Sequence, residues 1–187
     1  MKSVQGYTAV AKLLHWAMAV LIFIELFLAY SFGSVRHGVL EQYAGIVYWL
    51  HFNIGYTILI LLVLRILWRF FHKPPALPSD INQKEARFVN SGHKILYLLM
   101  FVMVTTGMLR YNMYLGDFKY LNFINIPAVV GNNQGYAYII VATIHNMTGA
   151  LLVATIAAHV AMAIRHHVID KNDILLRMLP KHCNKNK

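Results

Sequence analysis

Two histidines fourteen residues apart, His145 and His159, lie in one long apolar stretch of the chain. At 3.6 residues per turn the interval is just under four turns, so both imidazoles leave a helix in nearly the same direction, about 21 Å apart along its axis. That is most of a hydrocarbon core roughly 30 Å thick, which puts one histidine toward each membrane face. Two other apolar stretches each carry a histidine near their start, His15 and His51. Neutral imidazole is a strong ligand for transition metals and for haem iron. Four of them at two depths read as two metal-centred sites.

The elements that must hold them are membrane spans. Of the 187 residues, 58% are apolar and 13% charged, where a soluble domain carries about 25% charged residues. Four runs are long enough to cross a bilayer, with helices expected over 13–32, 46–68, 93–111 and 137–165. The third is the weakest, because Lys94 and Arg110 bracket a short core and must snorkel outward. The reading is an all-α membrane protein, a four-transmembrane-helix bundle in a single domain over 1–187, with a cytoplasmic tail from 166. The first run is longer than a signal-peptide core, lacks a small-residue cleavage site after it, and carries His15, so it is expected to be retained.

A net charge of +10 invites a nucleic-acid reading, but the charges are segregated along the chain. Lys2, Lys12, Arg69, Lys73, Lys84, Arg87, Lys94 and the basic residues from Arg165 to Lys187 fall on the side of the termini. The opposite loops hold Arg36, Arg110 and Lys119. The positive-inside rule then places both termini in the cytoplasm. No nucleic-acid partner is expected; membrane lipid is. The single cysteine, Cys183, falls in the tail and excludes a disulfide or a thiolate cluster.

Topology pairs the ligands. The first span runs inside to outside, so His15 is at the inner face; the second runs back, so His51 is at the outer face. The fourth puts His145 outside and His159 inside. Depth therefore couples His51 with His145 and His15 with His159. Two separated pairs suit bis-histidine haem better than a zinc, copper or iron site, which gathers three or four ligands at one point. A small residue follows each of the four by one turn (Ala19, Gly55, Gly149 and Ala163), leaving room for a flat macrocycle; His93 is followed there by Tyr97. Close helix packing uses small residues too.

Other polar residues join the candidates. Arg65, fourteen residues after His51, is a propionate partner or potential tuner for the inner haem, or a snorkelling cation; Arg69, a turn on, snorkels more readily. His93, at the inner end of the third span, lines a quinone pocket, bonds a propionate or caps its helix. Glu25 is the one acid within the four runs, either a proton acceptor or hydrogen-bonded between helices. His166 and His167 are expected at the interface, and His37, His72 and His182 in solvent. Tyr111 to Tyr136 forms a long aromatic loop in which a short interfacial helix is expected.

These residues together resemble the prokaryotic cytochrome b561 family. The resemblance is carried by Leu14-His15-Trp16, His51-x-x-x-Gly55, Arg65-x-x-x-Arg69 and Gly92-His93-x-x-x-Tyr97-x-Leu99. It continues through the His145/His159 pair and Asp173-x-Leu175-Leu176-Arg177-Met178-Leu179-Pro180, and spans nearly the whole chain. It implies two non-covalent b-type haems whose iron ligands fall on His15, His51, His145 and His159, with Arg65, Arg69 and His93 as further cofactor-binding candidates. It also implies electron transfer across the inner membrane between a donor, superoxide in some members, and the quinone pool. No C-x-x-C-H occurs, so no covalent haem is expected. Whether the chain is an oxidoreductase or a carrier depends on a substrate its sequence does not name. The alternatives are the membrane-anchor cytochrome b subunit of a larger dehydrogenase or hydrogenase, and a histidine-relay transporter; the partner expected is a second copy of the chain or the other subunits of a redox enzyme.

Overall fold

A computed structural model describes residues 6–38, 41–78 and 81–180, with the backbone alone at positions 36 and 37. Lys2, His182, Cys183 and the other basic residues beyond 180 lie outside the described residues, as do the side chains of Arg36 and His37. Four long helices dominate: α1 (Ala9–His37), α2 (Ala44–Phe71), α3 (Gln83–Leu115) and α4 (Tyr136–Val168). All four are long and apolar enough to cross a membrane. A short strand pair, β1 (Phe118–Tyr120) and β2 (Ile124–Ile126), joins α3 to α4, and a one-turn helix α5 (Ile174–Met178) follows α4.

Every long helix outruns its expected bounds, and the local chemistry says why. The Thr8 hydroxyl accepts from the Ala11 N–H at 3.2 Å and caps α1. Asn82 accepts from the Glu85 N–H at 2.9 Å, so α3 starts ten residues earlier than the apolar run at 93 suggests. A polar first turn with an Asn cap extends a helix beyond its lipid-facing part. Helix α2 stops ahead of Pro74 and Pro75, which cannot continue it, and α3 stops at Gly116, whose φ of 82° suits glycine.

Chain order is also packing order: α1 lies on α2, α2 on α3, and α3 on α4. Leu62, Ile58 and Met18 form the buried centre, with Tyr97, Met100 and Val104 against it. Outward rows of Phe, Leu, Ile and Val stay exposed. In lipid this exposure carries no penalty, because the tails are as apolar as the side chains.

The loop between α3 and α4 holds no interfacial helix. It forms an antiparallel hairpin, with Phe118 opposite Ile126 and Tyr120 opposite Ile124. Leu121 and Asn122 turn it at φ of 51° and 68°. Two buried asparagines pin it down: Asn53 of α2 accepts from the Leu121 N–H at 2.7 Å, and Asn112 of α3 accepts from the Val129 N–H at 3.2 Å. Phe118 stacks on Tyr56, ring centres 4.5 Å apart. The segment after α4 is docked as well. The Trp16 indole N–H donates to the Met178 carbonyl at 2.9 Å, and the Tyr7 N–H to the Arg177 carbonyl at 3.2 Å. The bundle thus has a hairpin end and a terminal end.

Candidate haem sites at the two ends of the bundle

At the terminal end, α1 carries His15 and α4 carries His159, with ring centres 6.3 Å apart. Two imidazoles bound to opposite sides of one metal through bonds of about 2 Å stand with their ring centres about 6 Å apart. The spacing fits one iron between them. His93 on α3 adds a third ring, 5.5 Å from that of His159. The sequence placed His93 at this depth but not against the pair.

Arg65 points at the same region. Its Nε–H donates to the Tyr97 hydroxyl at 2.8 Å, while its Nη1 is buried with no hydrogen-bond partner among the described residues. A buried guanidinium nitrogen left unpaired is costly. A carboxylate, such as a haem propionate, is the natural group to complete it. The Arg65 and Arg69 guanidinium carbons each lie 5.9 Å from the Tyr97 ring centre, so Tyr97 is gripped by both cations. Beside them a cavity of about 330 Å³ is lined by Arg65, Trp68, Arg69, His72 and Tyr97 among others. His72 is exposed, as expected, and stacks on Trp68 at 3.8 Å.

At the hairpin end, His145 on α4 leans on α3. Its Nδ1 lies 3.1 Å from the Met103 carbonyl and 3.2 Å from the Thr106 hydroxyl. A carbonyl only accepts, so Nδ1 carries the proton and Nε2 is left as the free lone pair, the form that binds a metal. Gly107 makes this approach possible: a Cβ there would stand 3.1 Å from the His145 Cε1. Gly107 was not singled out from the sequence, and lone glycines in membrane helices are too common to flag one. His51 on α2 contacts the Glu25 carboxylate through its Nδ1. Phe32 and Phe52 meet its ring edge-on, at 5.0 Å and 5.7 Å.

Two of the small residues one turn from a candidate histidine face side chains of neighbouring helices. A Cβ at Gly55 would lie 4.0 Å from the Glu25 Oε1, and one at Gly149 would lie 3.4 Å from the Met103 Cε. His166, expected at the interface, is instead only 2% exposed. Its Nδ1 lies 2.9 Å from Asp170, four residues on, and its Nε2 faces Glu85 at the start of α3 from 3.9 Å, beyond hydrogen-bond distance. His167 is exposed.

Four apolar helices with histidines facing inward at both ends define a membrane-spanning helical bundle of the cytochrome b kind. The family model for prokaryotic cytochrome b561 matches residues 6–181, and the chain belongs to that family. It is 27% identical to cytochrome b561 homolog 2 of Escherichia coli, over 95% of this chain and 93% of that protein. It is 25% identical to the probable superoxide oxidase CybB of Yersinia pestis, over 90% and 92%. To cytochrome b562 of Cereibacter sphaeroides it is 26% identical, over 93% and 95%. It is therefore a multi-pass membrane protein of electron transport, and haem b is its cofactor.

Proposed function

We propose that the chain binds two b haems, one at each end of the bundle, and carries electrons across the bacterial inner membrane between a donor and the quinone pool. His15 and His159 would hold the haem iron at the terminal end, His51 and His145 at the hairpin end. The single observation that carries the reading is the 6.3 Å separation of the His15 and His159 rings, contributed by two helices that meet through side chains. The unpaired Nη1 of Arg65 supports it.

Haem b, when bound, supplies a one-electron iron couple whose potential the surroundings set. The chain's own residues do the rest. Met103 and Thr106 hold His145 with Nε2 free, Arg65 offers a cation for a propionate, and the apolar bundle excludes water. Arg69 and Tyr97 frame the cavity of about 330 Å³, a size within the range of small-molecule sites and large enough for a quinone headgroup. Superoxide is the donor to test first. We place both termini in the cytoplasm, on the distribution of basic residues.

The test is a reduced-minus-oxidised spectrum with haem quantitation on the purified chain and its His51→Ala and His159→Ala variants. Two haems per wild-type chain are expected, with each substitution removing a different one. Loss of both haems from either variant, or of neither, would refute the pairing. His93→Ala should keep two haems, because the paired rings belong to α1 and α4; its losing one would make His93 a ligand.

A further inference from the structure

Glu25 sits in the apolar middle of α1, where an ionisable side chain is costly without a partner. The partner is His51: the carboxylate meets the ring at Nδ1, and the two side chains are only 13% and 17% exposed. Ten residues after His15, Glu25 is about 15 Å further along α1, the depth at which α2 presents His51. Gly55, one turn past His51, faces the carboxylate with hydrogen alone.

We infer that Glu25 is the positioning residue of the hairpin-end haem, accepting the Nδ1 proton of His51 and lowering that haem's reduction potential. The inference rests on the reading of His51 as an axial ligand. With Nε2 given to iron, Nδ1 must keep its proton, and Glu25 is the acceptor in contact with it. A carboxylate in that place fixes the ring's rotation and increases its donation to the metal. Stronger donation, and the nearby negative charge, favour ferric over ferrous iron. The four candidate ligands are not equivalent in this respect. His145 has neutral oxygens at its Nδ1, and the cation nearest the His15/His159 pair, Arg65, acts in the opposite sense. Arg110 of α3 also bears on the hairpin end: its Nε–H is given to the Tyr138 hydroxyl at 3.2 Å and its charge is felt at His145, whereas Glu25 touches its histidine directly. A haem held by His51 would therefore be the lower-potential of the two, the carboxylate in contact with its ligand outweighing the more distant cation, and electrons would pass from the hairpin end to the terminal end.

The experiment is a potentiometric titration of the haem-loaded protein with electron paramagnetic resonance of its ferric haems, on wild type, Glu25→Gln, Glu25→Asp and His51→Ala. In wild type the lower midpoint should be the one that His51→Ala removes. Glu25→Gln should keep both haems and shift the reduction equilibrium of that haem at least tenfold toward ferrous, 59 mV for a one-electron couple. Its low-spin signal, which reports the relative orientation of the axial rings, should move while the other haem's signal stays. Glu25→Asp, retaining a carboxylate, should fall closer to wild type. An unchanged midpoint and signal in Glu25→Gln, or equal shifts in Gln and Asp, would overturn the inference while leaving His51 a ligand. Retention of both haems by His51→Ala would overturn the ligand reading itself.

Discussion

In the proposed reading His145 is an iron ligand whose ring is set by its protein neighbours. One ring nitrogen is occupied by the Met103 carbonyl and the Thr106 hydroxyl, so the other is committed to being a lone pair. The ring can reach those partners only because position 107 has no side chain. Gly107→Ala places a methyl group 3.1 Å from the ring, tighter than van der Waals contact, and the imidazole has to turn or α3 has to move. Overpacking of this kind costs about 1–3 kcal/mol. The expected outcome is loss or spectral shift of one haem, with the other intact, read from the haem content and the optical spectrum of the purified variant. A spectrum indistinguishable from wild type would mean that the ring has slack the structure does not show. His159, by contrast, is defined by other rings, those of His15 and His93, 6.3 Å and 5.5 Å away.

The hairpin between α3 and α4 is held by buried amides more than by its own short ladder. Asn53 uses both ends of its side chain: Nδ2 donates to the Trp49 carbonyl at 2.7 Å, and Oδ1 accepts from the Leu121 N–H at 2.7 Å. That second bond helps hold Leu121 in a left-handed conformation that a branched side chain disfavours. Asn53→Ala leaves a backbone N–H without its acceptor and should cost about 1–3 kcal/mol. The loss should appear as a lower unfolding midpoint in detergent and as faster protease cleavage between Phe118 and Ile126, with the haem of the terminal end retained. Equal cleavage of variant and wild type would show that the Phe118–Tyr56 stack and the Thr57–Tyr120 hydroxyl pair suffice. The same hairpin lies over the aromatic rings that surround His51, with Phe52, Tyr111 and Phe118 in mutual contact.

Taken together, the helices make a bundle whose two ends differ in chemistry. The terminal end gathers Arg65, Arg69 and three imidazoles under the docked segment of α5; the hairpin end holds Glu25 and a cap of aromatic and amide groups. Insertion of such a bundle is set by lysine and arginine in the short loops. The lone cysteine offers a direct check of the proposed orientation. In right-side-out membrane vesicles Cys183 should resist a membrane-impermeant thiol reagent, and in inside-out vesicles it should react. The reverse pattern would invert the bundle and place the cation-rich end outside.

Much of this was legible along the chain. The 14-residue interval of His145 and His159, the positions of His15 and His51 in their spans, and the excess of basic residues on the side of the termini follow from helix periodicity and from the energetics of charge near lipid. These signals are local or one-dimensional, so residue order alone carries them. Periodicity failed at the helix ends, because caps such as Asn82 extend α3 on polar residues with no apolar pattern. It failed in the α3–α4 loop, where Asn53 and Asn112, distant in sequence, impose a hairpin. Which side chains meet across helices was decided by tertiary packing alone: Glu25 on His51, His93 beside His159, Gly107 under His145, His166 drawn inward by Asp170. A contact between two helices depends on rotation and height together, and at a given span many rotations satisfy the same apolar pattern. Only the packed bundle selects one.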